Sequence, residues 1–471
     1  MTPARISPAP RAHSKRTQRM ISPRLLCAGL AFGLMAATAA SAEPVKVNGF
    51  THVKSLDGID EYRLDANGLS VLLLPNHAAP VVTFQVTYRV GSRNEVTGST
   101  GGTHLLEHLM FMGSTHFDGD NNVDTYLDRV GAGFNATTSL DRTNYYATLP
   151  PAALDGYIAI EADRMRGLLL REKDRQSEMT VVRNEYERNE NNPNGALMKL
   201  MWATAYSAHP YHHPVIGWRS DIENVSIEKL RAFYDTFYWP NNATVTVVGD
   251  IDSAKVLASI GEKFGKVPRS PHAIPEVYTT EPEQQGERRV TLRRAGETGT
   301  VMMAYKAPAG LDKDIPALNV LELVLQGGRS ARLPRALVDT SKAVAVSGGM
   351  YQQRDPSLFM LSVALAPDGR HEDIEKIVRD EIAKVARDGV TVEEIKRVLG
   401  PYRAEEAYRR DGTDQAADAL NEFIAMGDWT LYSTALKDLE KVTPADVQRV
   451  AGKYFTAEQS TVGWFVPESS K

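Results

Sequence analysis

A polar segment from Val267 to Gln285 limits most strongly what this chain folds into. The segment carries four prolines, and proline-rich polar stretches interrupt helices and strands and typically join compact units. The chain has 471 residues, of which 42% are hydrophobic and 24% are charged, so it holds enough apolar material for more than one core. We therefore predict one domain in residues 43–266, a linker in residues 267–285 and a second domain in residues 286–471.

Hydrophobic patterns are alike on the two sides of this linker. Strand-like patterns are predicted at Val71–Leu74, Val81–Val90, Thr244–Val248, Val290–Leu292, Val301–Tyr305 and Thr461–Phe465. Apolar residues have helical spacing at residues 103–113, 121–130, 150–168, 174–190, 226–237, 315–325, 371–387 and 392–411. We predict an α+β fold of two similar α/β sandwiches, each a mixed sheet with helices packed on one face, and we infer duplication from the order of elements alone.

The N-terminus has the features of a secretory signal peptide. Residues 1–24 contain six basic residues and no acidic residue, an apolar run follows, and Ala40-Ser41-Ala42 has the small-x-small pattern of a cleavage site. The apolar run is short for a retained membrane anchor and too continuous for an amphipathic transit peptide. We expect cleavage before Glu43, a periplasmic or secreted bacterial protein without a stable membrane anchor, and translation from Met1 or Met20.

Composition excludes several function classes for the mature chain. The only cysteine is Cys27, inside the predicted leader, so neither disulfides nor thiol chemistry are available after cleavage. Residues 1–42 hold six basic groups and no acidic group, which leaves 48 Lys and Arg against 59 Asp and Glu, a net charge of −11. A chain with that charge is not expected to bind nucleic acid.

The sharpest chemical signal is an H-x-x-E-H motif formed by His104, Glu107 and His108. At about 100° per residue, the two histidines lie one above the other on a helix with the glutamate beside them. Two imidazoles suit zinc, and a neighbouring carboxylate can accept a proton from water at the metal, which is the inverted zincin arrangement. The alternative is two chance histidines on a helix that mainly packs against a core.

A catalytic zinc also needs a third protein ligand. The predicted helix at residues 174–190 offers Glu178 and Glu185, which are seven residues apart and fall within about 20° of each other on a helix. Further glutamates follow on the same segment, so a solvated acidic helix is the alternative. Spacing alone does not choose between these interpretations.

Glycines at Gly131 and Gly133 come before a short strand-like run that contains Asn135 and Ala136. Glycine allows another backbone to approach closely, as when a peptide adds itself to the edge of a sheet. An ordinary hairpin is the alternative.

Taken together, these residues resemble the pitrilysin/insulinase family of zinc metallopeptidases, and within it the short two-domain members similar to the subunits of mitochondrial processing peptidase. Further matches lie at Gly101-Gly102, Thr138, Tyr145, Ala162-Asp163, His209-Pro210, Ile216-Gly217, Tyr238–Asn241, Gly249-Asp250 and Gly327-Gly328. The resemblance implies one zinc ion per chain, held by His104, His108 and Glu185, with Glu107 as the catalytic base and Glu178 as a second functional glutamate.

The resemblance also implies that Asn135 and Ala136 belong to an edge strand that pairs with substrate, inside a chamber that admits peptides or unfolded segments. Active members of the family use an arginine and, seven residues later, a tyrosine from the second unit. The corresponding positions here are Leu337 and Val344. We therefore expect a heterodimer with a homologous subunit that supplies this pair, and otherwise a homodimer.

The predicted function is that of a zinc endopeptidase acting on peptide substrates. The alternative is a non-catalytic scaffold or assembly subunit of a peptidase complex. The intact motif together with both downstream glutamates argues against the alternative, because a scaffold has no use for that set.

Overall fold

The computed structural model describes residues 43–468 and contains two mixed β-sheets, one on each side of the proline-rich segment. The predicted signal peptide at residues 1–42 lies outside the described residues. Strands of the first sheet are β1 (Phe50–Leu56), β2 (Ile59–Leu64), β3 (Ser70–Pro75), β4 (Val82–Tyr88), β5 (Gly133–Thr138), β6 (Thr143–Leu149) and β7 (Ala243–Gly249). Strands of the second sheet are β8 (Arg288–Ala295), β9 (Thr300–Ala307), β10 (Ala343–Met350), β11 (Ser357–Leu365) and β12 (Ser460–Glu468).

The helices of the described chain lie in the segments between β4 and β12. They are α1 (Gly102–Leu109), α2 (Val123–Val130), α3 (Leu154–Gly167), α4 (Glu172–Asn191), α5 (Pro193–Ala205), α6 (Arg219–Asn224), α7 (Ile227–Phe237), α8 (Ser253–Phe264), α9 (Ile315–Gln326), α10 (His371–Asp388), α11 (Val392–Tyr408), α12 (Thr413–Met426), α13 (Leu431–Glu440) and α14 (Pro444–Tyr454). The predicted α+β class with two mixed sheets is confirmed. None of the helices in the described part of the chain combines the length and the apolar character needed to span a membrane.

Each sheet contains a single parallel pair among antiparallel neighbours. The first has the order β1-β2-β3-β7-β4-β6-β5, with β3 and β7 parallel, and the second has the order β10-β11-β9-β12-β8, with β12 and β8 parallel. Strand β5 is therefore an edge of the first sheet and β10 an edge of the second. Edge strands present unpaired backbone groups, which makes them the places where a further strand can add.

Strand β4 shows how the two faces of the first sheet are used. Its alternate residues Val82, Phe84, Val86 and Tyr88 face a core filled by helices of the same half. The intervening Thr83, Gln85 and Thr87 are polar and equally buried, because α12 from the other half covers them. Their hydrogen bonds to α12 are Thr83 Oγ1 to Thr413 Oγ1, Gln85 Nε2 to the Ala417 carbonyl and Thr87 Oγ1 to Asn421 Oδ1, at 2.8, 3.0 and 2.7 Å.

A helix of the first half covers the second sheet in the same way. Leu197, Met201 and Trp202 of α5 pack against Met302 and Phe465 on the face opposite the second half's own helices. The helices of each half thus pack on one face of their own sheet, as predicted, and one helix crosses over in each direction to close the other face. Neither sheet would have both faces buried by its own half of the sequence.

The proline-rich segment contains neither helix nor strand. It is held in place by Glu281, whose carboxylate accepts hydrogen bonds from the backbone N–H groups of Ser207, Ala208 and His209 at 2.8, 2.9 and 3.1 Å. Three charge-assisted bonds of this kind fix its path.

Candidate metal centre

Helix α1 is anchored at its first turn by a buried acid. Glu95 accepts hydrogen bonds from the N–H groups of Gly101 at 2.9 Å and Thr103 at 2.7 Å, which are donors that a helix N-terminus otherwise leaves unsatisfied. Gly101 adopts a φ of 83°, and a Cβ there would lie 2.3 Å from the Ile216 carbonyl oxygen. Only glycine therefore lets the chain enter α1 at this angle.

Periodicity decides which side of α1 faces the solvent. Leu105, Leu106 and Leu109 are buried in the first core. His104 and His108 are left on the opposite side, one turn apart, with ring centroids 4.9 Å from each other. The helix ends at Leu109 rather than at residue 113 as predicted, because the last N–H groups tighten onto carbonyls three residues back.

Helix α4 faces these rings and gives its two candidate glutamates different positions. Glu185 Oε2 lies 3.7 Å from His104 Nε2 and 3.8 Å from His108 Nε2. Glu178 Oε2 lies instead 3.1 Å from His108 Nδ1, the other nitrogen of that ring. The structure thus brings Glu185 between the two imidazoles and sets Glu178 behind one of them, an arrangement that orients a ligating histidine.

This cluster fits a zinc ion. One ligand atom each from His104, His108 and Glu185 lies within 4.8 Å of the others. Zinc bonds of ordinary length in tetrahedral geometry would hold such atoms roughly 3.3 Å apart, so only a small contraction is needed. Burial, with His108 close by, lowers the pKa of His104 to about 4, and the imidazole is therefore neutral and free to ligate at neutral pH.

Glu107 lies beside this cluster and is nearly buried. Burial raises its pKa from the ordinary value, while a hydrogen bond from the Thr138 hydroxyl to Oε2 works in the opposite direction. A carboxyl group whose pKa is shifted towards neutrality both accepts and returns a proton readily. In the sequence Thr138 is a match to the family, but no local pattern predicts its contact with Glu107, which is 31 residues away.

The wall of the site is the edge strand β5. A cavity of 540 Å³ is lined by His104, Glu107 and Glu185 on one side and by Ala136 to Thr138 on the other. Among the described residues β5 pairs only with β6, so its outer edge is open. Asn135 and Ala136 therefore both lie on the open edge strand, and Ala136 lines the cavity that contains the metal cluster.

A second cavity of 450 Å³ adjoins the first and shares Thr138, Asn189 and the segment Pro214 to Ile216 with it. It is mainly apolar and is lined by Leu140, Tyr186, Met198, Trp202, Tyr211, His213 and Tyr351. Burial lowers the pKa of His213 to about 4, so its ring adds no charge at neutral pH. Sequence reasoning missed this cavity, because its walls come from both halves of the chain.

The second half contributes no ligand to the described metal cluster. Val344 is 58% exposed on the edge strand β10, whereas Leu337 is fully buried in the second core. A side chain at position 337 points into the protein and cannot reach a substrate. Position 337 is therefore not the structural equivalent of the family's arginine. Arg335, two residues earlier, is exposed.

Known proteins match both halves of this chain. The model of the insulinase family, peptidase family M16, matches residues 70–218, and the model of the peptidase M16 inactive domain matches residues 224–400. The zinc protease PqqE of Helicobacter pylori is 32% identical over 410 residues, which are 85% of this chain and 91% of PqqE. An uncharacterized zinc protease of Streptomyces coelicolor is 28% identical over 417 residues, which are 85% and 89% of the two chains.

Solved structures share the architecture. A protease from Helicobacter pylori superposes with a TM-score of 0.81 at 30% identity, covering 89% of this chain and 99% of that one. Pitrilysin superposes with a TM-score of 0.75 at 18% identity, covering 90% of this chain and 47% of pitrilysin, and at that identity the fold alone is shared. The fold and these matches relate the chain to proteins named zinc proteases. The chain belongs to the insulinase family, peptidase family M16.

Proposed function

We propose that this protein is a zinc-dependent endopeptidase that cleaves peptides or unfolded segments in an exported compartment. The observation that carries the proposal is the convergence of His104, His108 and Glu185 on one point beside the buried carboxyl group of Glu107. A zinc ion bound there would polarise the scissile carbonyl and lower the pKa of water.

In this proposal Glu107 accepts the proton of the attacking water and later passes it to the leaving amine. Thr138 donates to one of its carboxylate oxygens and leaves the other to accept the proton. Glu178 keeps His108 oriented through Nδ1, so that Nε2 faces Glu185.

Substrate recognition is assigned to the free edge of β5. A peptide that adds itself there is held through its backbone at Asn135 and Ala136, which makes recognition largely independent of sequence but requires an extended segment. The neighbouring apolar cavity would hold one apolar side chain of that peptide. Folded domains lack such a segment, so peptides and unfolded chains are the proposed substrates.

The second candidate is a scaffold or assembly subunit without turnover. The observation that favours it is the match of residues 224–400 to a domain described as inactive. That match lies outside the segment with the histidines, whose complete ligand set argues for catalysis. Hydrolysis of an unstructured fluorogenic peptide by the zinc-loaded protein tests the two. Full zinc content without turnover, alone or with a homologous subunit, would establish the scaffold.

Export is proposed from the sequence pattern of residues 1–42. The first half of PqqL from Escherichia coli, described as a periplasmic protease, shares the fold with a TM-score of 0.72 at 18% identity. N-terminal sequencing of protein recovered outside the cytoplasm should begin at Glu43. A start near Met20 on membrane-bound protein would instead mean that the apolar segment is retained.

The proposed active form is a heterodimer with a homologous subunit that supplies an arginine and a tyrosine to the site, with a homodimer as the alternative. The proposal does not depend on position 337, because no arginine between Gly328 and Met350 is followed by a tyrosine seven residues later. Zinc and Glu107 activate water, but the oxyanion also needs donors, and loss of one such donor costs roughly 100- to 1000-fold in rate. Purified chain should therefore hydrolyse peptides slowly and gain activity when a homologous subunit is co-expressed. Equal rates with and without that subunit would replace the heterodimer by a self-sufficient homodimer.

A further inference from the structure

Arg142 is a buried cation next to the edge strand of the site, and the proposed reaction does not use it. It lies in the four-residue loop between β5 and β6 and is only 7% exposed. A guanidinium group out of water is stable only when its donors are paired. The hydrogen-bond partners of Arg142 therefore identify the parts of the protein that this side chain joins.

One side of the guanidinium group is bound to the edge strand. Arg142 Nη1 donates to the carbonyl oxygen of Thr137 at 3.2 Å and to Asn144 Oδ1 at 3.0 Å, and it also contacts the Thr137 hydroxyl. Thr138, the next residue along β5, donates its hydroxyl to Glu107. Arg142 thus binds Thr137, the neighbour of the residue that donates a hydrogen bond to the proposed base Glu107.

The other side of the guanidinium group is bound to the second half of the chain. Arg142 Nε donates to Glu422 Oε1 at 3.0 Å, and Nη2 donates to the same oxygen. Glu422 lies on α12, which Gln85 and Thr87 bind along the buried face of the first sheet. A planar fork with donors on two sides can join these partners at once, which a lysine ammonium cannot do.

We infer that Arg142 is a positioning residue of the peptidase reaction: it fixes Thr137 and Thr138, and through them the carboxylate of Glu107, against Glu422 of α12. This inference rests on the proposed function. It means that the half of the chain without metal ligands acts on the site through α12, by controlling the orientation of the base.

Substitution of Arg142 by glutamine should separate this role from metal binding. Arg142→Gln is expected to keep its full zinc content, to lower kcat about 10- to 100-fold and to change KM much less, because a base displaced by a fraction of an ångström loses rate rather than affinity. Arg403→Gln, which breaks an exposed ion pair with Glu440, is the matched control and should stay within about two-fold of wild type. An unchanged kcat in Arg142→Gln would overturn the inference.

Chemical rescue distinguishes positioning from general loss of structure. In Arg142→Ala, millimolar guanidinium chloride should restore part of kcat in a saturable manner, whereas equal sodium or ammonium chloride should not. Rescue by all three salts alike, or by none, contradicts a role for the planar fork.

Glu422 supplies a test that leaves Arg142 in place. Glu422→Gln should lower kcat about 3- to 10-fold, and the double variant Arg142→Gln/Glu422→Gln should be no slower than Arg142→Gln alone, because both remove the same link. Additive losses would show that Glu422 acts independently. If variants of Arg142 do not fold, the single variant Glu422→Gln decides alone, and an unchanged kcat in it would overturn the inference.

Hydrogen exchange tests the anchoring without any activity assay. Amides of β5 and of the first turn after it should exchange faster in Arg142→Gln than in wild type, and no such change is expected in Arg403→Gln. Zinc-loaded wild type that hydrolyses no peptide, either alone or with a homologous subunit, would refute the proposed function, while exchange would still report on the anchor. Unchanged exchange in β5 would refute the anchor itself.

Discussion

Helices α1 and α9 occupy similar places in the two halves, each packed near the edge strand of its own sheet. Glu107 of α1 accepts a hydrogen bond from Thr138 of β5, and Glu322 of α9 accepts one from the backbone N–H of Met350 in β10 at 3.0 Å. Burial raises the pKa of both carboxyl groups. A glutamate that is at least partly buried and bound to an edge strand is therefore common to both halves.

What differs is the surroundings of each glutamate. His104 and His108 flank Glu107, and α4 brings two carboxylates to them, whereas α9 has no histidine. Position 319, which corresponds to that of His104, is an asparagine that accepts a hydrogen bond from Gln352. A carboxyl group with a raised pKa therefore has a structural role in α9, where it binds the edge strand. It is a candidate catalytic group only in α1, where metal ligands surround it.

The largest effect is expected where the ligands themselves are removed. His104→Ala and Glu185→Gln should lose tightly bound zinc and all measurable turnover, because a three-ligand site reduced to two holds the ion weakly. Asn319→Ala is the matched change in α9 and should keep both. Metal analysis after exhaustive dialysis measures the effect, and full occupancy in either ligand variant would remove that residue from the site.

The second test exchanges the two glutamates for their amides. Glu107→Gln should retain zinc and lose about 100- to 10,000-fold in kcat, since an amide keeps the packing but accepts no proton. Glu322→Gln should remain close to wild type in rate. Similar losses in both variants would mean that the contact with the edge strand, and not proton transfer, explains the effect.

A smaller effect is expected when Glu178, the carboxylate behind His108, is replaced. Without its contact to Nδ1, the ring of His108 is less firmly oriented, and Glu178→Gln is expected to weaken zinc binding about 10- to 100-fold with a lesser effect on kcat at saturating zinc. Competition with a chelator of known affinity measures the change. An affinity equal to that of wild type would show that the contact does not support the metal.

The smallest effect is the pH dependence of the free energy of unfolding that comes from His213, a buried histidine of the first half. Burial lowers the pKa of His213 to about 4, so between that pH and about 6.5 the unfolded chain binds a proton that the folded one does not. The free energy of unfolding due to this group therefore falls as the pH drops through that range. Relative to wild type, His213→Asn should gain roughly 1 to 3 kcal/mol between pH 6.5 and pH 4.

Urea unfolding of the metal-free proteins at several pH values measures this difference. Glu95 lies 3.7 Å from His213, and burial raises its pKa to about 8, but it titrates in both proteins and its contribution largely cancels in the comparison. A stability difference that does not vary with pH would show that His213 is already accessible to protons in the folded state.

Much of the fold follows from local patterns. The predicted helices at residues 150–168 and 371–387 correspond to Leu154–Gly167 and His371–Asp388, and both are long segments whose apolar residues recur at helical spacing. Strand β10 was not predicted, since its Ser347-Gly348-Gly349 sequence has little strand character and its pairing comes from β11. Helix α12 was not predicted either, although its position closes the first sheet.

The local sequence is enough to place His104, Glu107 and His108 on one face of a helix, because helical geometry relates residues three and four positions apart whatever surrounds them. The resemblance to the family added Glu185 as the third candidate ligand. The different positions of Glu185 and Glu178 follow from packing and not from spacing, since both lie on one side of α4. Only the contact of α4 with α1 places Glu185 opposite both imidazoles and Glu178 behind one ring. The link from Arg142 to Glu422 spans 280 residues, and contacts at such distance are set by burial of whole surfaces and not by any local pattern.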